Sequence, residues 1–271
     1  MTTVAERVFR RGPFPVVFRL LQVRRATRLT PHMMRITLGG EDLKGFHSDS
    51  ADDHVKLLIP NPGELKPTLP TMGPRGVVFP EGASRPATRD YTPRRHDPVA
   101  GELDLDFVLH GSGPGSTWAA NAKVGDFIGV AGPRGSLMVA DDFDWYLFAG
   151  DQSGLPSIAR RLEELPEGAR AIVFLEVDDA SEEIPLQTRA NMELKWLHRK
   201  GAEPGTTRLL ENAIRELTFP PGDYFAWAAG ESRAMNAIRD HLVEERRAHK
   251  PWVRVIGYWK RGIPDHEEPH D

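Results

Sequence analysis

The first half of the chain sets apolar against polar residues in short alternating runs closed by turn formers, the spacing of β-strands. Residues 16–25 and 33–38 are rich in β-branched and apolar side chains, with Thr30-Pro31-His32 as the turn between them. His54-Val55-Lys56-Leu57-Leu58-Ile59 predicts a further strand. In residues 102–110, Leu103, Leu105, Phe107 and Leu109 are apolar with Asp104 and Asp106 between them, which predicts a half-buried strand. Residues 125–131 predict another, closed by Gly132-Pro133-Arg134-Gly135-Ser136. Between 60 and 86, seven prolines and four glycines interrupt any regular pattern and predict one long loop, of the kind that is usually functional or mobile.

The grammar changes after about residue 144. Short apolar runs at 145–149, 171–177, 193–198, 224–229 and 253–259 predict strands, and helical patterns occupy 155–165, 206–217 and 232–249. Strands alternating with helices predict a parallel sheet that binds ligands at the strands' C-terminal ends. The fold class expected is therefore β followed by α/β: an antiparallel Greek-key barrel over 1–142, a parallel-sheet nucleotide-binding domain over 143–262, and an acidic disordered tail over 263–271. No internal repeat or low-complexity segment is present.

Composition narrows the function. The chain of 271 residues is 39% hydrophobic and 27% charged, as expected of a globular protein. No window approaches a membrane span, and the N-terminus lacks the uninterrupted apolar core of a secretory signal, so a cytoplasmic protein is expected. There is no cysteine, which excludes disulfides and cysteine-ligated iron–sulfur clusters; any electron transfer here needs an organic cofactor. A net charge of −4 argues against nucleic-acid binding, although residues 1–40 carry eight arginines against one acid.

Two neighbouring motifs carry candidate chemistry. Arg89-Asp90-Tyr91-Thr92 offers a cation for phosphate, an aromatic surface and a small donor along one extended segment, with Arg89 and Tyr91 on one face. Alone, it reads equally well as a strand with a surface arginine. Residues 106–119 then run from a strand through Gly111-Ser112-Gly113-Pro114-Gly115 into a helix start, where Ser116 or Thr117 could cap and backbone amides could hold a phosphate. This is not a dinucleotide fingerprint, because Ser116 stands at its third glycine position. Further on, Gly150-Asp151-Gln152-Ser153-Gly154-Leu155-Pro156 ends the first parallel strand with small residues, and Glu176, Asp178 and Asp179 end the next. Acids at that place accept hydrogen bonds from an unphosphorylated ribose, which tilts the expectation toward NADH.

In chain order, Arg-x-Tyr-Thr-x-Arg, Asp-Phe-Val-Leu-His-Gly, Gly-Asp-x-x-x-Leu-Pro, Trp-x-Ala-Gly-Glu and Gly-Tyr-Trp-Lys-x-Gly resemble the siderophore-interacting protein family from about residue 17 to Gly262. Those proteins are flavin-dependent ferric-siderophore reductases related to the ferredoxin reductases. The resemblance implies FAD held by Arg89, Asp90, Tyr91, Thr92, Asp106, Val108, Leu109, His110, Gly113, Gly115, Ser116 and Thr117, with Trp259 as a stacking partner or lid. A core tryptophan is the alternative for Trp259. NADH or NADPH would meet Gly150, Asp151, Gly154, Leu155, Pro156, Glu176, Gly230 and Glu231. The relatives' nicotinamide-site cysteine is missing, and Gly230-Glu231 stands at the corresponding strand end.

Substrate is argued from charge. Ferric siderophores, catecholates above all, are anionic, and Lys56, Arg134, Lys260 and Arg261 are the basic residues placed to receive one. Lys56 stands out as a lysine in the middle of an apolar strand. The expected protein is a monomeric ferric-siderophore reductase fed by NAD(P)H. Exchange with ferredoxin or flavodoxin, or siderophore binding without turnover, are the alternatives. His266-Glu267-Glu268-Pro269-His270 matches a zinc-protease pattern, but Pro269 breaks the helix that pattern needs, so no protein-bound metal is expected.

Overall fold

A computed structural model describes residues 6–111 and 113–263. Residues 264–271 of the expected acidic tail, with the His-Glu-x-x-His look-alike, lie outside the described residues, while Ile263 forms a bridge with Lys260. Two compact units are present: residues 9–138 form one, and residues 139–263 with residues 6–8 form the other.

The first unit contains β1 (Val8–Arg11), β2 (Phe18–Thr30), β3 (Met33–Gly39), β4 (Val55–Ile59), β5 (Thr71–Gly73), β6 (Gly76–Val78), β7 (Ala87–Tyr91), β8 (Arg95–Asp97), β9 (Glu102–Val108), α1 (Pro114–Asn121), β10 (Phe127–Ala131) and β11 (Ser136–Val139). Seven strands pair antiparallel in the order β7-β4-β10-β2-β3-β9-β8. The two ends of that order, β7 and β8, are consecutive in the chain. Only residues 92–94 join them, and Arg94 N–H donates to the Asp104 carbonyl at 2.9 Å, so the sheet curls round on itself. Leu21, Val23, Ile36, Leu38, Leu57, Leu103, Leu105 and Phe107 point inward and are buried, as the period-two pattern requires.

Two sequence expectations are corrected here. Residues 60–86 contain a small hairpin, β5 on β6, because Pro74-Arg75 turns a run flanked by pairable residues. The β9 strand is buried on both faces. Asp104 and Asp106 are sealed by partners distant in sequence: Thr37 Oγ1 donates to Asp104 at 2.6 Å, and Arg35 binds Asp106 through two nitrogens at 2.7 and 2.8 Å. Burying those acids is tolerable because each is paired.

The second unit contains β12 (Trp145–Asp151), α2 (Leu155–Glu164), β13 (Arg170–Val177), β14 (Asn191–His198), α3 (Leu209–Arg215), β15 (Tyr224–Glu231), α4 (Ser232–Asp240) and β16 (Val253–Trp259). All five strands are parallel, in the order β14-β13-β12-β15-β16. The central strands β12, β13 and β15 read as near-continuous apolar runs, as strands covered on both faces must. The order reverses between β12 and β15, so the ligand crevice of such a sheet falls at the C-terminal ends of those two strands. Of the three helical patterns, the first is matched by α2 and the other two are shorter than the sequence suggests: α3 spans 209–215, and α4 passes into a π-turn over His241–Glu245. Among the described residues, no helix is long and apolar enough to cross a membrane.

Candidate functional site

In the first unit, β7 is an edge strand whose two faces do different work. Val55 lies opposite Tyr91, Lys56 opposite Asp90 and Leu57 opposite Arg89. Alternation therefore puts Arg89 and Tyr91 on the core-side face with Val55 and Leu57, and Asp90 with Lys56 on the other. The Tyr91 ring packs at 4.3 Å from Phe107, which in turn meets Trp118 of α1 at 5.7 Å. These aromatic contacts, each burying a surface worth about 2 kcal/mol, seat α1 against β9 and β7.

The helix α1 begins at Gly113, and no side chain caps it. The expected cap does not form. Ser116 Oγ instead accepts the His110 N–H at 2.7 Å, bracing the turn from behind, and Thr117 N–H goes to the Gly113 carbonyl. The N-terminal amides of Gly115 and Ser116 are thus without a side-chain cap, and Pro114 has no N–H to satisfy. Glycine at 115 lets the helix start pack directly on the Tyr91 ring: a Cβ there would lie 2.6 Å from Tyr91 Oη, and the ring or the helix would have to shift. Leu109 N–H donates to the His32 carbonyl at 2.7 Å, which fixes the strand's exit beyond Val108.

Electrostatics follow from this packing. Burial pushes the Tyr91 phenol well above its ordinary range, so the ring stays uncharged. Burial first and the nearby Arg89 second hold His110 below its ordinary value, favouring the neutral imidazole. Arg89 is half-buried and donates to the Thr88 carbonyl at 2.6 Å, and Thr92 is buried. A guanidinium, uncapped helix amides and an aromatic face are the donor set that a dinucleotide with a planar ring requires, so these residues fit FAD. Asp106 differs in kind, since Arg35 takes both of its carboxylate oxygens.

Lys56 Nζ lies 3.0 Å from Asp90 Oδ1. On its other side Lys56 is opposite Ala131, three residues before Arg134. Arg134 is exposed in its turn, and its carbonyl accepts the Phe14 N–H at 2.6 Å.

In the second unit, the ends of β12 and β15 are locked together. Asp151 Oδ1 accepts both the N–H and the hydroxyl of Ser153, at 2.8 and 2.6 Å. Its Oδ2 accepts the Trp259 indole N–H at 2.8 Å and the Glu231 N–H at 3.2 Å. Glu231 caps α4 through the Arg233 and Ala234 amides, and its other oxygen takes the Arg261 N–H at 3.2 Å. Arg261 also reaches Glu203, and Lys260 is half-buried beside it. A Cβ at Gly150 or Gly154 would lie 2.8 or 2.7 Å from the Ala229 carbonyl, so only glycine lets the β12–α2 turn close on β15. The helix α2 also starts without a side-chain cap, with Leu155 and Pro156 buried in its first turn.

The acids that pointed to an unphosphorylated ribose are engaged elsewhere. Glu176 is buried, accepts the Thr207 hydroxyl at 2.8 Å and faces Arg199 at 3.9 Å; desolvation pushes its carboxyl above the ordinary range. Asp178 accepts the Gly201 N–H, and Asp179 caps a short turn at Ser181. Arg35, Arg199 and Thr207 gave no local signal, because each meets its partner across a long stretch of chain.

Comparison with known proteins agrees over both units. The siderophore-interacting FAD-binding domain model matches residues 22–137, and the siderophore-interacting protein model matches residues 143–262. Ferric vibriobactin reductase of Vibrio cholerae is 38% identical over 93% of this chain and 94% of its own. The NADPH-dependent ferric-chelate reductase of Escherichia coli is 37% identical over 89% of this chain and 92% of its own. A siderophore utilization protein from T. fusca superposes with a TM-score of 0.89 at 42% identity, covering 96% of this chain and 98% of that one. With the barrel and the parallel sheet each matched by a family model over most of its length, the chain belongs to the siderophore-interacting protein family.

Proposed function

We propose that this chain is an FAD-dependent ferric-siderophore reductase that draws electrons from NADPH. The observation carrying the reading is the placement of Arg89 and Tyr91 on β7 beside the uncapped start of α1. Bound flavin would supply the coupling between a two-electron nicotinamide donor and one-electron ferric acceptors. Arg89 and the α1 amides of Gly115 and Ser116 neutralise the pyrophosphate. Tyr91 presents an uncharged ring, Thr92 a hydroxyl, and the turn from Val108 through Leu109 and His110 to Gly113 and Thr117 shapes the wall. His110, held neutral, adds no positive charge beside the ring.

The crevice at the ends of β12 and β15 takes the donor, with its pyrophosphate at the uncapped start of α2 beside Gly150 and Gly154. Asp151, Glu231 and Trp259 form its floor. NADPH is preferred to NADH on two grounds: the acids that favoured NADH are internally bonded, and one relative is named for NADPH. In the first unit, Lys56 and Arg134 attract an anionic chelate, of which catecholate complexes carry the most charge; Lys260 and Arg261 belong to the second unit. Each NADPH oxidised releases two electrons and one proton, enough to reduce two ferric chelates to ferrous; Fe(II) then leaves its hard oxygen donors. A monomer working in the cytoplasm completes the reading.

The test is spectroscopic. The purified protein is expected to be yellow, to bleach anaerobically with NADPH faster than with NADH or reduced ferredoxin, and to regain colour when a ferric siderophore is added. A colourless protein, or a bleached one that no ferric siderophore reoxidises, overturns the proposal.

A further inference from the structure

The pair formed by Lys56 and Asp90 joins the expected substrate cation to the flavin strand. The two residues are directly opposite in the β4–β7 register and 3.0 Å apart, with side chains 40% and 21% exposed. Of the two residues flanking Lys56 across the sheet, Ala131 is uncharged and Asp90 is an anion in contact with it. Two positions along the same face, Leu58 is buried, and the site of a Gly129 Cβ falls between it and Leu69 of the 60–86 segment. The pair therefore stands at the border where the covered part of this face meets solvent.

We propose that Asp90 is a positioning residue: it holds Lys56 at the outer face of the flavin strand and, as resident anion, sets the negative charge a ferric chelate must bring to bind there. This rests on the reading of Lys56 as a substrate cation. With Asp90 in place the pair is neutral overall, and an incoming chelate competes with a carboxylate already in contact with the ammonium. An uncharged chelate has nothing with which to displace it; a multiply charged one has. Asp90 would thus weaken anion binding in absolute terms and prevent capture of weakly charged metabolites. A pair serving only to stabilise the strands would leave chelate discrimination untouched.

The test uses the full chain with bound flavin as wild type, Asp90→Asn, Asp90→Glu, Lys56→Ala and the Lys56→Ala/Asp90→Asn double variant. Two probes are titrated while tryptophan emission is followed: an iron(III) tris-catecholate carrying three negative charges and an uncharged iron(III) tris-hydroxamate. Asp90→Asn is expected to tighten the tris-catecholate about fivefold and to leave the hydroxamate where it was, since partly exposed pairs act at this scale. Raising salt should shrink the gain, Asp90→Glu should abolish it, and most of it should vanish in the Lys56→Ala background. An unchanged ratio of the two dissociation constants in Asp90→Asn overturns the proposal. So does loss of flavin from that variant, which would place Asp90 with the cofactor, or a wild type that binds neither probe. A wild type that binds the chelates without reducing them counts against the reductase reading, while the ratio still decides the role of Asp90.

Discussion

Gly115 packs so closely under Tyr91 that a Cβ on it would sit 2.6 Å from the phenolic oxygen. The first turn of α1 and β7 are therefore in direct contact, and the amides proposed for the pyrophosphate rest against an aromatic side chain. Gly115→Ala should force Tyr91 or α1 outward, costing about 1–3 kcal/mol as overpacking does. Flavin per mole of protein should fall with it, read from visible absorbance after desalting. A stable Gly115→Ala protein with full flavin would show that this contact does not set the cofactor site.

Lys56→Ala should raise the KM for an anionic ferric chelate about tenfold, the scale of one lost charge-assisted hydrogen bond. Flavin content should stay at the wild-type level, because Lys56 lies on the face of the sheet opposite Arg89 and Tyr91. Steady-state reduction beside a flavin determination checks both halves.

The indole of Trp259 ties the last strand to Asp151 across 108 positions of sequence. Trp259→Phe keeps an aromatic ring but removes the donor, leaving Asp151 Oδ2 with the Glu231 amide. The KM for NADPH should rise about five- to tenfold, in line with one hydrogen bond to a carboxylate. An unchanged KM would separate this corner from the donor crevice.

Glu245 contributes to the acid sensitivity of the second unit. Its hydrogen bond to Arg215, backed by His241, pulls its carboxyl down to about 2. A carboxylate depressed in the folded state stabilises above its unfolded value, and that contribution is lost as pH falls through the carboxylate range toward about 2. Glu245→Gln should therefore be less stable than wild type near neutrality, and the two should converge in acid. Urea midpoints measured at a series of pH values check this.

Much of the fold was legible. The apolar alternation of Leu103, Leu105 and Phe107 marked a core strand, and the switch to helix-separated apolar runs after residue 144 marked the parallel sheet. Gly150 and Gly154 stood out in sequence only as small residues at a strand end, and it is the Ala229 carbonyl that requires them to be glycine. Polar residues were harder to read. Asp104 and Asp106 looked like a solvent face and are buried, Asp104 against Thr37 and Arg95 and Asp106 against Arg35, and Glu176 looked like a ribose acceptor and is sealed by Thr207 and Arg199.

By itself, the sequence determined the order of barrel and sheet and the requirement for an organic redox cofactor in a chain without cysteine, and it marked Arg89, Tyr91, Thr92 and the α1 start as candidates for holding one. Those properties are written in spacing and residue type, which are local. Tertiary structure alone decided which charges are free to act, because a charge's partner is set by strand register and packing. Lys56 meets Asp90 only because β4 and β7 pair in that register, and a slip of one residue would turn both to the other face.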